Sequence, residues 1–389
     1  MPAMLFQTTK QDLLALISPA ATATTSKGNL PDLAHLLFDA QPDNRLRITG
    51  TDLQISIAAT GPAQVTSGGR LCVESRVVSQ LVSSCPAGGI EFKLLDGGWV
   101  QFRSLAAKTK LTMKLHTFAA ENFPSMVIPK TETPPTKVDV AALRALLDAT
   151  MYAVSRDEAR ANLNGLHVEK DGDRVMLVST DGHRLAKADG LFPFPSLPDR
   201  GINIPYRSAR ILTDFLGGMD GTVDIGVMPG MLTVQGGNVS MAMKLSDHVF
   251  PPWQQVVPTA FSRRCTVNKA ALVTTIERAM VMAPDKTHST VFAIEPQADG
   301  GGELVVTVDN AEQGTLRDVL GLEERVRLEG NAVSTMYNAQ YVLEAIEHTT
   351  GDTIVMRSNG AMDPVNISSI GPGGDIDLRA LAIVMPMRM

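Results

Sequence analysis

Ser179-Thr180-Asp181-Gly182-His183-Arg184-Leu185 closes an apolar, β-leaning run, Val175-Met176-Leu177-Val178, with a polar turn. Fainter echoes lie on either side, at Arg47-Ile48-Thr49-Gly50-Thr51-Asp52 and at Val306-Thr307-Val308-Asp309-Asn310. Asp52 to Asp181 is 129 positions and Asp181 to Asp309 is 128. So steady a spacing predicts one unit used three times. Phe123-Pro124 and Phe250-Pro251, 127 positions apart, support the period independently.

Each unit reads as helix, strands, helix, strands. In the first, the strand-like Met4-Leu5-Phe6 leads to Thr8 or Thr9 as an N-cap, then to Leu13, Leu14, Leu16 and Ile17 on one helical face, with Pro19 expected to end the helix. Ala20 to Asn29 reads as a loop, and Val73 to Cys85 as a second helix stopped by Pro86. Lys130-Thr131-Glu132-Thr133-Pro134-Pro135-Thr136-Lys137 is a linker, because two prolines resist both helix and central strand. The second unit puts Leu143, Leu146, Leu147, Met151 and Val154 on a helical stripe and a helix over Pro205 to Leu216; the third has helices over Asn268 to Met282 and Asn338 to Glu347. The expected division is 1–130, linker 131–136, 137–258 and 259–389. Helices segregated from antiparallel strands make the fold class α+β.

At 389 residues the chain exceeds what one core serves, and 44% hydrophobic residues suffice for two or three. A formal net charge of -6 argues against a broadly basic surface that coats nucleic acid, while leaving room for a local basic lining. Cys72, Cys85 and Cys265 have no CxxC spacing and read as reduced core thiols of a cytoplasmic protein. No leader and no apolar run of about 18 residues is visible, so neither export nor membrane spanning is expected.

Asp181 and His183 invite an acid–base reading, that of a hydrolase. No Ser or Cys nucleophile motif accompanies them, and the echoes at Asp52 and Asp309 lack the histidine. A turn aspartate bonding its own backbone explains the recurrence more simply. The glycine-rich stretches Gly300-Gly301-Gly302 and Gly371-Pro372-Gly373-Gly374 lack the lysine of a phosphate loop and read as turns, and the seven histidines have no metal-ligand spacing. No metal, cofactor or catalytic residue is expected. The Met-rich tail Val384-Met385-Pro386-Met387-Arg388-Met389 suggests instead a soft apolar groove for partner peptides.

With the triplication, Thr180 to Leu185 and this tail, the chain resembles the β subunit of bacterial DNA polymerase III, the sliding-clamp family. Leu163-Asn164-Gly165, Phe250-Pro251 and Asn338-Ala339-Gln340-Tyr341-Val342-Leu343 follow the same pattern in order over essentially the whole length. The resemblance implies three similar domains per subunit, with helices facing a central hole and antiparallel sheets outside, in a head-to-tail dimeric ring around duplex DNA. It implies a processivity factor, with the polymerase III α subunit, the clamp loader and other proteins carrying clamp-binding motifs as partners; a paralogue that binds partners without supporting bulk replication is the alternative. A ring held by topology needs few tight phosphate contacts, which suits the acidic composition.

Carried over by resemblance, the peptide pocket comprises Leu163, Thr180, Gly182, His183, Arg184, Leu185, Pro251, Val256, Ile383, Met385, Pro386, Met387 and Arg388, with Asn338, Tyr341, Met362 and Pro364 alongside. Apolar members would take leucine- or phenylalanine-like anchors, and Arg184 and Arg388 polar or acidic groups. Trp253 and Gln255 stand where the family often has Tyr and Arg. DNA contacts would fall to Lys27, Arg76, Arg156, Arg160 and Arg207, although Ala161 and Asn162 replace a tyrosine pair found in some clamps. At the dimer interface, Met113 and Leu115 would meet Val281 and Met282, with Lys108, Lys110 and Lys114 facing a thin acidic strip of Glu312 and Asp318.

Overall fold

Three times along the chain the same order recurs: strand, helix, strands, a second helix and three closing strands. The first copy comprises β1 (Leu5–Thr9), α1 (Lys10–Thr22), β2 (His35–Gln41), β3 (Arg45–Thr51), β4 (Ile55–Pro62), β5 (Gln64–Ser67), β6 (Gly69–Glu74), α2 (Ser75–Ser84), β7 (Gly89–Leu95), β8 (Trp99–Ser104) and β9 (Thr112–His116). The second comprises β10 (Thr136–Asp139), α3 (Val140–Asp148), β11 (Gly165–Asp171), β12 (Arg174–Thr180), β13 (Arg184–Leu191), β14 (Ile202–Pro205), α4 (Tyr206–Gly217), β15 (Thr222–Met228), β16 (Met231–Gly236) and β17 (Val239–Lys244). The third comprises β18 (Arg263–Asn268), α5 (Lys269–Met282), β19 (Ser289–Pro296), β20 (Gly302–Asn310), β21 (Gly314–Leu320), β22 (Arg327–Glu329), β23 (Val333–Asn338), α6 (Ala339–Glu347), β24 (Thr353–Ser358), β25 (Val365–Ile370) and β26 (Ile376–Val384). This is a computed structural model; it describes residues 4–26, 30–106, 111–128, 133–284, 286–297 and 302–388.

The chain divides into two units, one running to Val140 and adding Asp214–Leu245, the other joining Ala141–Thr213 to the chain from Ser246 onward. In the first unit the sheets are five-stranded, β5-β1-β7-β8-β9, and eight-stranded, β10-β15-β16-β17-β4-β3-β2-β6. Phe92 centres its aromatic core, stacked on Phe6 at 5.1 Å and edge-on to Phe102 at 5.3 Å. Helix α1 buries Leu13, Leu16, Ile17 and Ala20. Gly50 is glycine for a packing reason: a Cβ there would lie 2.0 Å from the Ala20 carbonyl oxygen.

In the second unit the sheets are nine-stranded, β14-β11-β12-β13-β26-β25-β24-β18-β22, and four-stranded, β21-β20-β19-β23. Strand alternation sorts the nine-stranded sheet into two faces. Cys265, Val267, Ile354, Met356, Val365, Ile367, Ala382 and Val384 join one core with Leu272 and Ile276 of α5 and Val342 and Ile346 of α6. Their neighbours in sequence occupy the opposite face, away from the helices.

Most expected elements stand where the pattern put them, and Thr9, Asn268 and Asn338 cap α1, α5 and α6 through their side chains. Three differ. Pro19 does not end α1, which continues to Thr22; the proline deletes one backbone bond, and burial of Ile17 and Ala20 on either side offsets that loss. Helix α3 stops at Asp148, so Met151 and Val154 leave the expected stripe, while the buried Thr150 hydroxyl turns back to the Leu146 carbonyl at 2.7 Å. In the third copy the turn residue is Asn310, not Asp309: its Oδ1 accepts the Glu312 N–H at 3.0 Å, which makes the recurrence 129 positions in both steps.

Candidate functional site

The turn between β12 and β13 is built by its own side chains. Asp181 Oδ1 accepts the His183 and Arg184 N–H groups at 2.9 and 3.1 Å, and the Thr180 hydroxyl accepts from Gly182 N at 3.0 Å while donating to the Arg184 carbonyl at 2.6 Å. Gly182 has φ of +87°, the left-handed region that favours glycine. The Asp181 carboxylate is therefore occupied by backbone and leaves no free base beside His183.

From this turn the chain serves both faces of the sheet. Leu185 enters the helix-free face, where Val178, Leu185 and Ile383 form an apolar floor beneath Phe250, with Trp253 and Val257 beside it. Arg184 points the other way, with its side chain only 11% exposed. Its Nε donates to Asp181 at 3.1 Å, its Nη2 to the Tyr152 carbonyl at 2.9 Å, its Nη1 pairs with Glu344, and its guanidinium lies 4.4 Å from the Tyr341 ring centre. Burial raises the phenol pKa values of Tyr152 and Tyr341, so both stay neutral partners. The expectation that Arg184 meets a ligand's acidic groups is corrected here, since two carboxylates of the chain already hold it.

The C-terminal tail arrives on the same turn. After β26, the Met385 N–H donates to the His183 carbonyl at 2.9 Å and the Met387 N–H to the Met336 carbonyl at 2.8 Å. The His183 ring lies 6.3 Å from that of Tyr341, and Asn338 caps the helix that carries Tyr341. Thr180, Gly182, His183, Arg184, Leu185, Asn338, Tyr341, Ile383, Met385 and Met387 are thus assembled at one end of the sheet, with Pro386 and Arg388 in the same tail. Leu163 is buried and tied in indirectly: its N–H donates to the Arg160 carbonyl at 2.8 Å, and Arg160 Nη1 donates to the Asp181 carbonyl at 2.6 Å. Pro251 follows Phe250, and Val256 is exposed on the 3-10 turn Trp253–Val256. Met362, 59% exposed, and Pro364 precede β25, whose Val365 pairs with Val384.

Sequence reasoning missed the supports. Val178 could have been found by alternation with Thr180, but Tyr152 and Glu344 lie far from the motif in sequence and carry no local signal. It also missed a polar brace on the floor's face. Glu169 accepts from Trp253 Nε1 at 3.2 Å and Gln254 Nε2 at 3.3 Å and pairs with His167 at 3.1 Å; His167 in turn reaches Asn203 at 2.7 Å and stacks on Phe250 at 4.8 Å. The His167 hydrogen bond first, with help from Trp253, holds the Glu169 carboxyl below its ordinary range.

Of the residues expected at DNA, Arg76 on α2, Arg156 and Arg207 on α4 are exposed, Arg160 is exposed but tied to the Asp181 carbonyl, and Lys27 lies outside the described residues. At the expected dimer surface Met113 is 38% and Val281 74% exposed, whereas Leu115 is buried opposite Val100 and Met282 packs partly into the core, which removes Leu115 as a surface contact. Lys114 is exposed; Lys108 and Lys110 lie outside the described residues. Arg278 Nε donates to Asp318 at 2.8 Å, so one of the two expected acidic groups is already neutralised.

Models of the N-terminal, central and C-terminal domains of the DNA polymerase III beta subunit match residues 4–127, 137–252 and 254–388 in that order. The chain belongs to the DNA polymerase III beta subunit family. The beta sliding clamp of Synechocystis sp. is 25% identical over 397 residues, covering 98% of both chains, and that of Escherichia coli K12 is 24% identical, covering 99% of this chain and 100% of its own. Among solved structures, a C. crescentus beta sliding clamp aligns over the full length of both chains with a TM-score of 0.90 at 23% identity, as does a Bacillus subtilis clamp with 0.90 at 21%. The three repeats are the family's three clamp domains. A subunit of this family is an accessory factor of the polymerase, not an enzyme, in keeping with an Asp181 spent on its own turn. No helix among the described residues is long and apolar enough to cross a membrane.

Proposed function

We propose that this sliding clamp encircles duplex DNA as a cytoplasmic head-to-tail dimer and holds the polymerase α subunit, the clamp loader and other motif-bearing proteins through the assembly around Asp181–Leu185. One observation carries the pocket: the Met385 N–H bond to the His183 carbonyl seats the tail beside the apolar floor of Val178, Leu185 and Ile383. Leucine and phenylalanine anchors suit that floor, and Met385 and Met387 can repack around either. Micromolar affinity, about -8 kcal/mol, lets partners exchange. The pocket comprises the residues named by resemblance, with Arg184 as its internal brace.

Sheet edges support the ring. Strand β4 is paired by β17 and β13 by β26, yet among the described residues their counterparts β21 and β9 are left as sheet edges. Pairing β9 of one copy with β21 of another repeats the seam and closes the ring through Met113 and Val281. Exposed Arg76, Arg156 and Arg207, with Lys27, supply the sparse DNA contacts, and the domain limits follow the linker at 131–136 and the joint near 258.

Retention on circular against linearised DNA, with mass in solution, tests the ring; equal retention on both refutes it. Deleting the chain from Met385 onward should leave the dimer and abolish capture of a leucine/phenylalanine peptide. Capture at full affinity refutes the pocket.

A further inference from the structure

The helix-free face of the nine-stranded sheet carries one cross-strand row through the pocket floor. Leu185 pairs with Ile383, Ile383 with Asn366, Asn366 with Arg357, Arg357 with Arg264, and Arg264 with Glu329. Paired residues share a face, so the row passes from two apolar side chains to a buried amide and then to two arginines side by side. Asn366 is 1% exposed, and its Oδ1 accepts from Arg357 Nη2 at 2.8 Å and Nε at 3.3 Å. Phe261 covers the other side of that guanidinium at 4.4 Å. Asn366 and Phe261 thus fix Arg357 in place but supply no negative charge.

Arg264 is less satisfied. Its Nε is buried without a hydrogen-bond partner among the described residues, and its only counter-ion there is Glu329, at 3.6 Å with a side chain 71% exposed. A loose exposed pair of this kind contributes little. Arg327, opposite Thr266 on the same face, adds a further exposed cation. Like charges opposed across a ladder are unfavourable, as is a buried donor without a partner. The repulsion between the two guanidiniums falls if an anion settles on the row.

We propose that Arg264, with Arg357 beside it, forms an anion subsite for an acidic residue in the segment flanking the peptide motif held on the Leu185–Ile383 floor. The proposal rests on the pocket assignment above. Register supplies the spacing: strands lie about 4.8 Å apart, so Arg357 is roughly 10 Å and Arg264 roughly 14 Å from Ile383 along the row. An extended segment advancing about 3.3 Å per residue covers that distance in three or four residues. The subsite adds an outlet for partner acidity beyond the exposed Arg388 of the tail, because Arg184 is neutralised and Gln254 and Gln255 carry no charge.

The test titrates the full-length clamp with labelled peptides sharing one leucine/phenylalanine core and bearing four glutamates or four glutamines on either end. The glutamate extension on one end should bind roughly three- to ten-fold tighter at low salt, and the advantage should shrink as salt rises. Arg264→Gln should erase that advantage and leave the core peptide's affinity unchanged, whereas Glu329→Gln should enlarge it. Equal affinity for both extensions at both ends overturns the proposal, as does an advantage that survives Arg264→Gln. Loss of DNA retention in Arg264→Gln with the peptide advantage intact would assign the row to nucleic acid instead. Failure of the core peptide to bind at all condemns the pocket assignment, and the subsite with it.

Discussion

Arg184→Ala should destabilise the second unit by roughly 2–4 kcal/mol, which is large for a residue expected at a binding surface. The guanidinium braces Asp181, Glu344, the Tyr152 carbonyl and the Tyr341 ring at once. Its removal strips two partly buried carboxylates of their cation. The cost stays below that of a fully buried pair, because Asp181 keeps two backbone donors and Glu344 keeps Gln340 at 2.6 Å. The chain's two tryptophans, Trp99 and Trp253, lie in different units, so urea unfolding followed by fluorescence in a Trp99→Phe background reports on the second unit alone. A double-mutant cycle with Glu344→Gln should return a coupling of about 1–2 kcal/mol, and Arg184→Lys should recover little, because an ammonium cannot reproduce the fork. Peptide affinity should fall equally for acidic and neutral extensions. A loss under about 0.5 kcal/mol with no coupling, together with selective weakening of acidic peptides, would mean that Arg184 is a solvated ligand contact.

Leu185→Ala, at a position only 2% exposed, should cost about 2–4 kcal/mol by the same fluorescence assay and abolish peptide capture; a loss within 0.5 kcal/mol would show the floor to be collapsible. Glu169 titrates below its ordinary value near 4.5, so its stabilisation is complete above that value and is lost as pH falls through the lower folded value. Glu169→Gln should therefore flatten the acid limb of unit-two stability without changing its slope above pH 6, and an unchanged acid limb would refute the brace. The dimer should persist by sedimentation between 0.1 and 1 M salt, since Asp318 is neutralised by its own Arg278 and apolar contact remains at the edges; dissociation at high salt would refute that.

Repetition made the fold legible. Each copy carries turn chemistry strong enough to see in sequence, and Asn268 and Asn338 announce their helices because an N-cap side chain acts within three residues. The illegible parts depended on distant partners. Pro19 sits inside α1 because the core favours helix on both sides of it, which no local propensity states. Residue type alone suggested that Arg184 was a free cation; only the path of α6 shows that Glu344 occupies it. The motif end of the site was readable, whereas Val178, Tyr152, Glu344 and the Arg264–Arg357 row required the strand register.

The seam that holds the pocket is built twice, and only one copy suits an apolar peptide. In the first unit Asp52 accepts from Gln54 and Ile55 at 2.9 and 2.8 Å, and the Gln54 carbonyl accepts from Lys244 at 2.8 Å, as the His183 carbonyl does from Met385. The backbone arrangement is the same, but Ser56 opposite Ala242 stands where the second unit has Leu185 opposite Ile383. The small residues leave a cleft of about 290 Å³ in which Arg47, Ser56, Thr233 and Ser240 stand among apolar walls of Ile128, Pro135, Met241 and Ala242. An apolar anchor placed there would also desolvate hydroxyls and a guanidinium without bonding them, a cost of about 1–3 kcal/mol per group that offsets part of what the apolar walls contribute. Side-chain volume and polarity on one row, not the seam, therefore decide where peptides dock. Calorimetric titration with a leucine/phenylalanine peptide should saturate at one site per chain, and Leu185→Ala should remove that site; two equivalent sites per chain would show that the backbone seam alone suffices.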